Sequence, residues 1–169
     1  LDITYGDNVD YVWDASRPLP FKDSTFDIVY ASHVLEHIAW YKTEEFIGEI
    51  VRILKPGGAF EVWVPDGLKI CSAVVEYESS GTSDMEKDGW YKFNPKRDFY
   101  LWAAGRIFTY GDGTGRADSP NWHRALFTHR SLKLLLERAG LTNISVLGRA
   151  DVRGADHGWI SCGLRGIKR

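Results

Sequence analysis

The chain has 169 residues, 44% of them hydrophobic and 26% charged, with a formal net charge of −2. That length and apolar fraction suit one domain with a real core. The near-neutral balance excludes a broad electrostatic footprint for nucleic acid or an anionic membrane, and no apolar run approaches the roughly 18 residues of a membrane span. No signal peptide is expected. Because the sequence opens on Leu1 rather than Met, a trimmed or truncated start is expected. The two cysteines, Cys71 and Cys162, show no CxxC and no metal spacing, so no metal ligand is assigned. They read as thiols in a reducing compartment, and the cytoplasm is the expected location.

Leu1-Asp2-Ile3 reads as the tail of a strand. Asn8 to Asp14 alternates enough for another strand, which ends in Asp14-Ala15 before the turn Leu19-Pro20-Phe21. Phe26 to Ala31 is a short apolar run bounded by turn signals, the pattern of a buried strand. A polar break, Ser32-His33, follows. Thr43 is placed to cap a helix with Glu44 and Glu45 in its first turn, where the helix dipole favours negative charge. Phe46, Ile47, Ile50, Val51 and Leu54 recur at helical spacing, and Arg52 and Lys55 lie in the expected last turn. Pro56-Gly57-Gly58 then stops the helix ahead of a second apolar run, Ala59 to Pro65. Two such runs joined by one helix make a βαβ unit and require a parallel sheet. Ligands of such sheets bind beyond the carboxyl ends of the strands, which places Ser32, His33 and the Pro65-Asp66 corner at a site edge.

Past Asp66 the chain is helical in character to about Glu78. Residues 79–98 are polar and poorly periodic and read as a loop or lid. Phe99 to Phe108 is apolar enough to pack back as a short helix, and Tyr110 to Asn121 is a second, Gly-rich loop ahead of Trp122-His123-Arg124. Thr128 to Ala139 is a helix with Leu132, Leu135, Leu136 and Ala139 on its buried face and Gly140 at C′. Asn143 to Arg149 and Gly158 to Ile167 alternate like two strands joined by the loop 150–157.

The phrases LPFKDSTFDIVYASHVLEHI and EEFIGEIVRILKPGGAFEVWVPD resemble the class I S-adenosylmethionine-dependent methyltransferases, closest to the small type 11 branch found among sugar and cell-surface biosynthesis enzymes. The resemblance implies an α/β fold: a doubly wound, Rossmann-like sheet, mostly parallel, with an antiparallel C-terminal hairpin. It implies S-adenosyl-L-methionine as cofactor and transfer of its methyl group to an oxygen or nitrogen of a small-molecule acceptor, a sugar or cell-surface precursor by family context. One unit over 1–169 is expected, with a lid or substrate insertion at about 79–127.

The family pattern also distributes roles. Asp2 falls where an acidic residue meets the ribose hydroxyls, and a carboxylate can accept two bonds from a diol. Asp14 and Ala15 fall at the adenine edge, and Leu19 and Phe21 near the adenine face. Ser32 and His33 fall beside the methionine part of the cofactor. His33 is also a candidate general base, because an imidazole titrates near neutral pH. Tyr110, Trp122, His123 and Arg124 fall on the acceptor side. There Trp122 can stack on a ring, Arg124 can clamp a carboxylate or phosphate, and His123 is a second catalytic candidate.

The family opens with a strand and a glycine-rich turn at the cofactor, and nothing precedes Leu1 here, so that strand and turn are expected to be missing. Gly111 to Gly115 spells GxGxG in mid-chain and permits a circular permutation, although the next helix begins too late for that motif. His33-x-x-Glu36-His37 spells the H-x-x-E-H of inverted zinc peptidases, but it abuts a strand instead of lying within a helix. A non-catalytic binding module that keeps the fold is the remaining alternative.

Overall fold

The computed structural model describes residues 1–87, 94–109 and 118–169. Its sheet has four strands: β1 (Phe26–Ser32), β2 (Leu54–Pro65), β3 (Leu141–Val146) and β4 (Ser161–Lys168). Their order is β1-β2-β4-β3. β1 and β2 run parallel, and β4 is antiparallel to both β2 and β3. Three strands therefore share one direction and the last opposes them, giving the open mixed α/β sheet and C-terminal hairpin that the sequence implied.

β2 is central, and every residue from Gly58's neighbour Ala59 to Pro65 is buried. A strand covered on both faces reads as a continuous apolar run, which is why this segment stood out. Its one carboxylate, Glu61, is matched by Arg153, whose Nε and Nη2 donate to it at 2.5 and 3.0 Å. Trp63 pairs with Gly163 across β4, and a Cβ at 163 would come within 2.6 Å of the Trp63 ring. The glycine is what lets the indole lie across the sheet.

The helices are α1 (Thr43–Ile53), α2 (Gly67–Ser80), α3 (Phe99–Phe108) and α4 (His129–Arg138). α1 and α4 bury their apolar stripes, Phe46-Ile47-Ile50-Ile53 and Leu132-Leu135-Leu136, against Phe60, Val62 and Val64 of β2 in one core. α2 and α3 meet in a second core around Ile70, Trp102 and Ile160. Asp66 caps α2 by accepting from the Leu68 amide, and Thr128 caps α4 in a reciprocal pair with Ser131.

Three expectations need correction. Asn8 to Asp14 is not a strand; a single parallel bridge, Asp2 to Val12, stands in its place. Alternation alone builds no strand without a partner to pair with. Thr43 does not cap α1; it is the helix's first residue, and its hydroxyl donates to the Trp40 carbonyl. α1 ends at Ile53 rather than beyond Lys55, because Leu54 already pairs with Phe26 and Lys55 reaches Asp27 at 2.7 Å.

Arg52 does more than sit near a helix end. Its guanidinium donates to Glu49, to Asp23 and to the carbonyls of Leu19 and Phe21. Glu49 in turn accepts from the Leu19 amide. The hydrogen bond from Arg52 holds the Glu49 carboxyl below its ordinary value of 4.5. A depressed acid stabilises the fold above its unfolded value and loses that contribution as pH falls through its folded one. Arg52→Met is expected to lower stability by about 1–3 kcal/mol, because the Phe21 carbonyl and the Glu49 and Asp23 carboxylates lose their guanidinium donor. Urea unfolding at pH 7 and pH 4 is the check: the variant's acid-side loss should be shallower than the parent's.

Candidate functional site

The carboxyl end of β1 carries the turn that organises the site. His33 has φ +54°, in the left-handed region, and its amide donates to the Trp63 carbonyl. A non-glycine residue held there costs about 1–3 kcal/mol and persists only where its surroundings fix it. His33 Nδ1 lies 3.0 Å from Glu36 Oε1, Nε2 lies 3.2 Å from Ser161 Oγ, and the ring stacks on His157 with centroids 3.8 Å apart. Burial pushes the His157 imidazole down.

Two cavities meet at His33. One, of about 390 Å³, is lined by Asp2, Asp14, Ala15, His33, His37 and Arg124 among others. The other, of about 360 Å³, is lined by Ser32, His33, Trp63, Lys69, Val152 and Trp159 among others. The carboxylates lining the first are Asp2, Asp14 and Asp118; Asp2 is held below its ordinary range chiefly by the Thr4 amide and Asp14 chiefly by Ser16. The walls of the second are largely aromatic and aliphatic, with the Lys69 ammonium donating to the Trp159 and Ser161 carbonyls.

The expected site residues therefore divide. Asp2, Asp14, Ala15 and His33 border one cavity, and Arg124 joins them. Ala15 also borders a neighbouring apolar cavity of about 340 Å³, which takes Leu19 and Phe21. Ser32 faces the Trp63–Trp159 cavity, not the one with Asp2 and Asp14. Trp122 gives its carbonyl to His37 Nδ1 at 3.3 Å, and His123 packs edge-on against the His37 ring at 5.0 Å. Burial drives the His123 imidazole down to about 4. Tyr110 and the glycines 111–115, on which the permuted reading turned, lie outside the described residues.

Glu36, which the sequence offered only within the H-x-x-E-H spelling, is 1% exposed. The turn Leu35–His37 is a short 3-10 segment, and the Arg124 and Ala125 amides both donate to the Glu36 carbonyl. That clamp draws the side chain inward. The H-x-x-E-H zinc geometry is not formed, because His33 stands outside the 3-10 turn in the left-handed conformation.

Residues 4–62 match a family model described as a methyltransferase domain. A sterol 4-C-methyltransferase of Caenorhabditis elegans is 47% identical over 72 residues, which is 43% of this chain and 17% of that one. A ubiquinone/menaquinone biosynthesis C-methyltransferase of Hahella chejuensis is 36% identical over 58 residues, 34% of this chain and 22% of that one. The chain thus spans under a quarter of these curated relatives. Among solved structures, a SAM-dependent methyltransferase from Archaeoglobus fulgidus superposes with a TM-score of 0.51 at 13% identity, over 92% of this chain and 66% of that one. Another from Thermotoga maritima gives 0.50 at 22%, over 92% and 61%. By matched segment and by fold, the chain resembles the class I S-adenosylmethionine-dependent methyltransferases.

Enzymes of this class take S-adenosylmethionine. That cofactor offers a ribose diol and an exocyclic amine, both hydrogen-bond donors, and the first cavity is lined by the acceptors Asp2 and Asp14. Asp2 Oδ1 accepts twice from Thr4 at 2.9 Å, which fixes the carboxylate's direction.

Proposed function

We propose that this protein transfers the methyl group of S-adenosylmethionine to a small acceptor, with the cofactor in the Asp2–Asp14 cavity and the acceptor in the Trp63–Trp159 cavity. The observation that carries this reading is His33, whose side chain belongs to both cavities. A group shared by the two is where acceptor and donor meet.

Bound S-adenosylmethionine supplies an electrophilic methyl group on a positively charged sulfur. The chain's own residues do the rest. Asp2 accepts from the ribose diol, and Asp14 accepts from the adenine amine beside Ala15. Walls of Trp63 and Trp159 exclude water and hold the acceptor, so that its lone pair, the methyl carbon and the sulfur align. For an oxygen or nitrogen acceptor, His33 Nε2 takes the proton that the nucleophile sheds. The Glu36 carboxylate beside Nδ1 then stabilises the imidazolium. Arg124, on the cofactor side, attracts a carboxylate, and Trp122 and His123 position it from behind.

A carbon acceptor is the second reading. Relatives matched over 43% and 34% of the chain are named a sterol 4-C-methyltransferase and a ubiquinone/menaquinone biosynthesis C-methyltransferase. The apolar walls of the acceptor cavity suit a lipophilic ring as well as a sugar. NMR of the labelled product separates the two readings, since a methyl on oxygen, nitrogen or carbon resonates in a different range.

Calorimetric titration with S-adenosylhomocysteine in zinc-free buffer tests the cofactor site. Saturable binding is expected, weakened at least about tenfold in Asp14→Ala, which loses a charge-assisted hydrogen bond. Absent binding, or equal binding in the variant, would leave a binding module without this cofactor as the better account.

A further inference from the structure

Beside the first cavity, which His37 itself lines, stands a group of side chains whose donor atoms converge on one point. Donor atoms of Glu36, His37 and His123 all lie within 4.8 Å of one another. We propose that these three residues form a binding site for a divalent transition-metal ion of the zinc class.

The donor set is right for such an ion. Two imidazoles and one carboxylate are the protein ligands of many open zinc sites, which leave a position for water or another ligand. Tetrahedral coordination at about 2.0–2.2 Å sets donors about 3.4 Å apart, so the three close on an ion by modest side-chain rotation.

A second, independent observation points to a ligand. Glu36 is 1% exposed, yet neither carboxylate oxygen takes part in a hydrogen bond among the described residues. His33 Nδ1 is close, at 3.0 Å, but not in hydrogen-bonding geometry. A buried carboxylate without donors is costly, and native structures satisfy such groups with protein, water or an ion.

The outer partners agree as well. His37 Nδ1 lies 3.3 Å from the Trp122 carbonyl, and His123 bonds to the Arg106 backbone. Metal-ligating histidines generally donate one ring N–H to a carbonyl and keep the lone pair of the other nitrogen for the ion. The ligands also come from two segments, the 3-10 turn after β1 and the stretch ahead of α4. An ion here staples residues 122–124 to the site wall beside His33.

Chelator-treated protein titrated with zinc, and separately with cobalt(II), tests this. One ion per chain is expected, with affinity reduced at least about tenfold in both His37→Ala and His123→Ala. The cobalt spectrum should show ligand-field bands without the intense near-ultraviolet charge transfer of a thiolate. A second cluster, Asp66, His129 and Cys162, serves as the control. His129→Ala should leave the affinity unchanged. Circular dichroism checks that each variant folds, and His123→Gln replaces His123→Ala if the latter does not. No zinc binding overturns the proposal. So does binding that survives both histidine changes, or that disappears only in His129→Ala. S-adenosylhomocysteine titration of the zinc-free protein is a separate readout, so the metal site can fail while the methyl-transfer reading stands, and the reverse.

Discussion

His33→Ala is expected to lower turnover by about 10²- to 10⁴-fold, the usual worth of a positioned general base. The loss should fall on kcat more than on S-adenosylhomocysteine affinity, because Asp2 and Asp14 remain to hold the nucleoside. The reasoning is geometric. His33 has a neighbour on three sides: Glu36 Oε1 lies 3.0 Å from Nδ1, Ser161 Oγ lies 3.2 Å from Nε2, and the His157 ring lies 3.8 Å away between centroids. Its backbone is held in a strained conformation by the Trp63 carbonyl. An imidazole oriented so fully is preorganised to receive a proton. Single-turnover rates with the parent and variant, read beside calorimetry, check the claim. A fall of less than tenfold in kcat would mean that the acceptor needs no base, as an already ionised nucleophile or an electron-rich carbon would. His157→Ala should have a smaller effect than His33→Ala, since it removes only the stacking face.

How much of this was legible in the sequence depends on where the decisive contacts lie. Ala59 to Val64 announced itself because both faces of β2 are covered, so no polar alternation interrupts the run apart from Glu61. The C-terminal hairpin was legible in outline only: its strands run Leu141–Val146 and Ser161–Lys168 instead of 143–149 and 158–167, and three successive residues of β4, Cys162 to Leu164, are buried. Asp2, Asp14, Ala15 and His33 were reached through family phrases, and the fold does bring them to one cavity. Asn8 to Asp14 failed because Val9, Tyr11 and Trp13 alternate without a strand beside them. The burial of Glu36 was not legible, because nothing local says that amides nearly ninety positions later clamp its carbonyl. Arg52 does lie in the last turn of α1 as expected, but its partners Leu19, Phe21 and Asp23, about thirty residues upstream, were not legible. Long-range polar contacts leave no periodicity to read.

Trp102→Ala should cost about 3–5 kcal/mol, the range for deleting a fully buried aromatic. Trp102 is 0% exposed and lies at the centre of the second core, stacked on Phe99 at 5.6 Å. That core has few members, so little material can collapse into the void. α3 holds its place through Trp102, through the Phe99–Tyr77 stack at 4.0 Å to α2, and through its cap, where Asp98 accepts from the Leu101 amide. Asn94 braces the cap by bonding both the Asp98 amide and its carbonyl. Ile160 belongs to the same core and is followed directly by Ser161, which meets His33. Loosening this core therefore acts on the acceptor cavity, not on the aspartate pair. Denaturant unfolding should show the stability loss, and Trp102→Phe should recover about half of it by keeping a ring in place. Under folding conditions the Trp102→Phe protein should bind S-adenosylhomocysteine as the parent does while its acceptor KM rises. Equal acceptor KM in the two proteins would separate the second core from the site, and the Ile160–Ser161 link would then be structural alone.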